Sequence, residues 1–175
     1  RRVLFRSQQL SNASIQYPKW SIATPADFGS SVQFIKAVPS IHFNLFSSEE
    51  QNQLSKSVWT VSSQSNRMGM RIDSDFKASK PITGIASQGI CFGTVQLPPS
   101  DQPIIMLAEH QTTGGYPRLL EIIRSERSTL AQLKPGSKIQ FVPITLDEAD
   151  QINANYFSEQ KKTLDNLKTI LMNKS

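Results

Sequence analysis

Cysteine is almost absent from this chain. Cys91 stands alone among 175 residues, which excludes an internal disulfide framework and any zinc site built from several thiolates. Histidine is scarce too. His42 and His110 lie far apart, so no metal-ligand cluster forms in the sequence and no metal is expected. No apolar run reaches the roughly 18–20 residues that span a bilayer. The Gly-x-x-x-x-Gly-Lys-Ser/Thr loop is missing, and with it the common cradle for ATP phosphates. Excess charge is also small. The formal charge is +5, but Arg1-Arg2-Val3-Leu4-Phe5-Arg6-Ser7 reads like a translated sequencing adapter, and residues 1–7 are set aside as an artefact. Nineteen basic residues less those three arginines leave sixteen against fourteen acidic ones, a charge of +2. That is too little for a nucleic-acid surface. The same reading expects a truncated start with a missing upstream half, so no signal peptide can be sought there. A cytoplasmic protein is the default expectation.

What is present fits one ordinary globular core, with 38% hydrophobic and 19% charged residues. Residues 8–31 are polar and read as loop, or as the remnant of the truncated N-terminal part. Strands are expected at Val32–Lys36, Ile41–Phe46, Val58–Ser62, Arg67–Ile72, Phe92–Leu97, Ile104–Ala108, Leu119–Ile123 and Lys138–Ile144. Pro98-Pro99 stops one strand, and Pro143 argues for a strand end or an edge. Ser47 with Glu50, and Thr145 with Glu148, have capping-box spacing and start helices. The first runs to about Ser55. The second runs to about Met172, with a break expected in polar Ser158–Lys162. Ser125 is read as the cap of a short helix over Glu126–Leu133. Pro135-Gly136-Ser137 is a turn. Short strands with turn signals and few helices predict a mainly β fold, a barrel or sandwich with a C-terminal helix.

The candidate chemistry gathers around Glu109-His110-Gln111-Thr112-Thr113-Gly114-Gly115-Tyr116-Pro117, a polar connection between two apolar runs. Gln111, Thr112 and Thr113 supply hydrogen-bonding groups. Gly114 and Gly115 can take positive φ and let a ligand approach the backbone, and Tyr116 adds an aromatic face. A hairpin loop with turn glycines reads the same way. In Arg67–Ile72, alternation puts Arg67, Gly69 and Arg71 on one face and Met68, Met70 and Ile72 on the other. Such a face suits a carboxylate or phosphate, or is the solvated outside of a barrel strand. His110 could move protons, although Glu109 and His110, as neighbours in an extended chain, face opposite ways. His42 is read as a surface residue and Cys91 as a small buried hydrophobe.

Gln111-Thr112-Thr113-Gly114-Gly115-Tyr116-Pro117 resembles the signature of the KipA family, also called the C-type 5-oxoprolinase subunit, allophanate hydrolase subunit 2 or the biotin-dependent carboxyltransferase family. Three more blocks follow the family's order: Ser65-Asn66-Arg67-Met68-Gly69-Met70-Arg71; Gly93-Thr94-Val95-Gln96-Leu97-Pro98-Pro99 with Gln102-Pro103-Ile104; and Leu130-Ala131-Gln132-Leu133 with Pro135-Gly136. Two departures stand out. Asp101 replaces the glycine that commonly precedes the Gln-Pro pair, and Val38-Pro39-Ser40-Ile41 replaces a Pro-Gly-Pro run.

The resemblance implies a cyclophilin-like β-barrel over 32–149, a helical tail over 150–175, and no prolyl isomerase activity. It implies one component of a hydrolase complex that opens 5-oxo-L-proline to L-glutamate, with ATP and magnesium bound by the complex. The partners would be a KipI-like protein and a LamB/YcsF-like protein, the two other components of such a complex. Laid on the family's positions, Arg67 and Arg71 hold anionic groups, and Thr112 and Thr113 with the Gly114 and Gly115 amides stabilise developing negative charge. Gln111, His110 and Tyr116 line the substrate. Two alternatives remain. One is the carboxyltransferase part of a urea carboxylase; this chain lacks an Ala/Val-Met-Lys-Met acceptor motif, so biotin would arrive on another domain. The other is a non-catalytic antagonist of a KipI-like kinase inhibitor.

Overall fold

Apolar alternation near the start of the domain is realised as β1 (Gln33–Pro39), with Ile35 and Ala37 buried inward and Phe34 left outside. The structure, a computed structural model, describes residues 31–80 and 82–172. The expectations for residues 1–7 and for 8–30 lie outside that range. After β1 come α1 (Ser48–Lys56), β2 (Trp59–Val61), β3 (Gly69–Asp73), β4 (Gln88–Gly89), β5 (Thr94–Gln96), β6 (Ile104–Met106), β7 (Thr113–Gly114), β8 (Arg118–Ile122), α2 (Arg127–Gln132), β9 (Lys138–Pro143) and α3 (Leu146–Met172).

Seven strands close into a barrel in the order β1-β8-β5-β6-β3-β2-β9. Closure is made by β9 lying parallel to β1, with Gln33 opposite Ile139 and Ala37 opposite Pro143. The other barrel pairs are antiparallel. Inside sit Trp59, Phe141, Ile35, Ile72, Ile105, Val95, Leu120 and Ile139, with Phe76 packed on the Trp59 ring. This is the mainly β barrel with short helices and a C-terminal helix that the sequence led us to expect. Among the described residues no helix is long and apolar enough to cross a membrane.

Both capping boxes form. Glu50 N–H donates to Ser47 Oγ while Ser47 N–H donates to the Glu50 carboxylate. Thr145 and Glu148 repeat the exchange.

Three local expectations are corrected, and a fourth, for Pro143, is narrowed to one of its two readings. Ile41–Phe46 is no strand. Phe43 and Phe46, three apart, turn inward on a 3₁₀ turn, while Ile41 and Leu45 face solvent. Ser125 caps nothing with its side chain, because a 3₁₀ turn over Arg124–Glu126 runs straight into α2. Its N–H instead donates to Asn153 Oδ1 of α3. The helix does not break at Ser158–Lys162, whose Glu, Gln and Lys are good helix formers, and Lys162 pairs with Glu159 one turn back. Pro143 ends β9 but marks no free edge, since that strand is paired on both sides.

Glu50 does more than cap. Its carboxylate also accepts from Ser79 N–H at 2.7 Å and Ser79 Oγ at 2.9 Å, fastening the loop after β3 to α1. The Ser79 N–H above all, then the Ser47 N–H and the two hydroxyls, outweigh partial burial and hold the Glu50 carboxyl down at about 2. A depressed carboxylate stabilises the fold above its unfolded pKa and loses that contribution as pH falls towards its folded one. Stability is therefore expected to fall between about pH 4.5 and 2 through this group. Glu50→Gln should cost about 0.5–1.5 kcal/mol at pH 7, as hydrogen bonds to a carboxylate are weakened or lost, and flatten that acid slope in urea unfolding. An unchanged slope would remove Glu50 from this role.

Candidate functional site

Asn66 shapes the first wall of the site. Its Oδ1 accepts from the N–H groups of Met68 and Gly69 at 2.9 and 3.2 Å, an Asx-type turn that delays the strand until Gly69. The expected alternation therefore holds from Gly69 to Ile72, with Met70 and Ile72 inside the barrel, and fails before it. Arg67 lies in the turn, away from Arg71. Its guanidinium is exposed and pairs with Glu109 at 2.7 Å. Arg71 faces a cavity of about 240 Å³ lined by Asn66, Met68, Gly69, Gln96, Ile104, Met106, Gln111 and Tyr116. Among the described residues it makes no ion pair.

Three residues named from the sequence thus meet: Arg71, Gln111 and Tyr116. The others do not line this cavity. Thr113 and Gly114 form β7, paired with β4 (Gln88 opposite Gly114) as a two-stranded ribbon outside the barrel. The Thr112 carbonyl accepts from Ile90 N–H. His110 is half-buried, and its Nδ1 must donate to the Gln111 carbonyl at 2.5 Å, which can only accept. The connection is no hairpin either: β6 and β8 are separated by β5, which pairs with both. Nor do Gly114 and Gly115 use positive φ; that conformation falls to Gly84, Gly93 and Gly136. Asp101 takes it as well, at φ 56°, in the place where the family resemblance led us to expect glycine.

Gly114 matters for a different reason. A Cβ there would lie 2.6 Å from Gln96 Nε2 and 3.0 Å from its Oε1. Gln96 lines the same cavity, and sequence reasoning did not single it out. It belongs to β5 and is fully buried. Nε2 donates to the Tyr116 carbonyl at 3.4 Å, and Oε1 has no partner. Its signal in the sequence was a polar residue between Val95 and Leu97 in a strand whose three residues are all buried. Gly69 answers a similar constraint, since a Cβ would lie 2.6 Å from the Ile104 side chain.

A second polar cluster lies across the β4–β7 ribbon. Arg118 donates to Gly89 O and Gln88 Oε1. Glu121 accepts from Ser40 Oγ at 2.8 Å and Thr94 Oγ1 at 2.7 Å. Two expectations fail here. His42 is buried, because Nδ1 accepts from Arg118 N–H; burial first, then the Arg118 charge, lowers its pKa. Cys91 is exposed, with its thiol near Glu121 at the rim of this cluster.

The first cavity suits a small molecule bearing an anion. At about 240 Å³ it falls below the 300–1,000 Å³ of ordinary ligand clefts, and its described lining offers one cation, Arg71. No group of three or more metal-ligating side chains gathers among the described residues.

A family model described as carboxyltransferase domain, subdomain A and B, matches residues 3–143. The C-type 5-oxoprolinase subunit of Haemophilus influenzae is 37% identical over 134 residues, covering 75% of this chain and 43% of that protein. The protein of the same name from Escherichia coli is 39% identical over 115 residues, covering 66% and 37%. The chain thus spans less than half the length of these relatives. Crystal structures of the Kluyveromyces lactis urea amidolyase and urea carboxylase each superpose with a TM-score of 0.68 at 23% identity. They cover 78% of this chain and 9% and 13% of theirs. At that identity the likeness is one of fold.

Gly114→Ala is expected to destabilise by about 1–3 kcal/mol, because the buried Gln96 carboxamide must shift. Gly115→Ala, whose Cβ would meet the Ile85 carbonyl at 3.3 Å, should cost less than about 1 kcal/mol. Urea unfolding of the two variants tests the order, and equal costs would refute the packing argument.

Proposed function

The chain belongs to the carboxyltransferase domain family, subdomains A and B, and from that premise we propose that it is the substrate-holding part of a C-type 5-oxoprolinase subunit. In this reading a larger complex opens 5-oxo-L-proline to L-glutamate at the expense of ATP. The observation that carries it is the meeting of Arg71, Gln111 and Tyr116 in one small cavity. The relatives at 37–39% identity supply the substrate class.

Arg71 is the cation for the substrate carboxylate, since a guanidinium grips a carboxylate with two parallel hydrogen bonds. Tyr116 covers the ring with its aromatic face, and Gln111 meets its polar edge. The lining holds no carboxylate, imidazole or thiol, so this chain's part is to bind and orient. ATP and magnesium belong to the other components of the complex, for which a KipI-like protein and a LamB/YcsF-like protein are the candidates. Carboxyl transfer from carrier-borne biotin to urea is the competing reading, and turnover separates the two.

The test uses the full-length chain assembled with both partners, following ADP and glutamate with and without 5-oxoproline. Arg71→Ala should lower kcat/KM by roughly 10–100-fold, the loss of one charged hydrogen-bonded contact, mostly through KM. Arg67→Ala should stay within about twofold, as an exposed ion pair is worth little. An equal loss in both would move the anion site to the Arg67–Glu109 side. Turnover of urea with carboxybiotin, and none of 5-oxoproline, would replace the reading.

A further inference from the structure

Gln96 Oε1 is a buried acceptor without a donor. Such groups are uncommon in folded proteins, because an unmet buried acceptor costs about 1–3 kcal/mol. The orientation of the carboxamide is not arbitrary. The Tyr116 carbonyl can only accept, so the end facing it is Nε2 and the free end is Oε1. No donor among the described residues reaches that oxygen. The side chain is seated against Gly114 and shares its cavity with Arg71, Gln111 and Tyr116. The last torsion of a glutamine is soft and broad, so a modest turn of the amide plane presents Oε1 to a bound molecule.

We propose that Gln96 is the specificity residue of this cavity: Oε1 accepts a hydrogen bond from an N–H of the substrate, and the cavity thereby selects an amide or lactam bearing a free N–H. The proposal rests on the reading of the cavity as the substrate site. Arg71 takes the anionic end and Gln96 takes the nitrogen. The role of Gly114 follows from it, since a side chain there would push the reading group aside. An analogue with a ring oxygen in place of N–H sets two acceptors face to face and leaves Oε1 unmet, the arrangement that polar sites reject strongly.

The experiment measures binding of 5-oxo-L-proline and of 5-oxotetrahydrofuran-2-carboxylate, the lactone of the same shape, to the assembled complex by calorimetry. Wild type should bind the lactam at least about tenfold more tightly. Gln96→Met, which keeps the length and removes the acceptor, should bring the two within about twofold by weakening the lactam. Arg71→Ala should weaken both alike and leave their ratio standing. Gly114→Ala supplies a second route to the same end and should also lower the ratio, should Gln96→Met fail to fold. A wild-type ratio near one, or a ratio that survives both the Gln96 and the Gly114 change, overturns the proposal. Binding of neither ring compound by wild type sinks the oxoprolinase reading instead. The proposal is then read on urea, another N–H donor: at least about tenfold weaker binding by Gln96→Met sustains it, and equal binding overturns it.

Discussion

The parallel pairing of β1 with β9 is the constraint on which the rest of the molecule depends. Those strands come from opposite ends of the described domain, and their five register pairs turn an open sheet into a closed ring. Closure leaves the barrel without an unpaired edge. It also fixes where β3, β5 and β6 stand, and these strands carry Gly69, Arg71, Gln96, Ile104 and Met106 to the cavity. Such a ring is built from contacts of long sequence separation, whose loop-closure entropy is met before any of them stabilises. The buried Trp59, Phe76 and Phe141 rings supply the compensating apolar burial.

What the sequence revealed is what neighbouring residues decide among themselves. Alternation marked most of the barrel strands, and two capping boxes marked the starts of α1 and α3 to within a residue, because those signals span three or four positions. The family resemblance marked Asp101 as standing in a glycine's place, and it does adopt left-handed backbone. The errors lie where a distant partner decides. Two apolar runs with paired glycines between them looked like a hairpin, yet β5 stands between β6 and β8. His42 looked exposed, but β8 offers it an N–H. Cys91 looked buried, but it sits at a rim where Glu121 and Thr94 take up the inner space.

The candidate site divides along the same line. The two arginines of one motif were assigned one role, and a turn closed by Asn66 gives them different surroundings: Arg67 meets Glu109 in solvent, while Arg71 enters the cavity. The glycine pair was noticed for the wrong property. Gly114 is needed for the space it leaves beside Gln96, and that space is visible only once β5 and β7 are brought together in three dimensions. Gln96 itself carried a readable clue, a carboxamide between two apolar residues, Val95 and Leu97. A buried amide demands partners for both ends, and here the protein meets only one.

The chemistry of the lining limits what this chain can contribute alone. Opening a lactam needs a base or an activated oxygen at the carbonyl carbon. The groups around the cavity are carboxamides, a guanidinium, a phenol, two thioethers, an alkyl side chain and a glycine. No carboxylate, imidazole or thiol stands among them. What such a set does well is hold a small anion in one orientation, with hydrogen bonds that fix its plane. Holding a reactant in register is itself a large part of catalysis when the reacting group comes from elsewhere, because the orientational entropy is lost before the chemical step. A component of this kind would bring orientation and selectivity to a complex whose reactive groups lie on its partners.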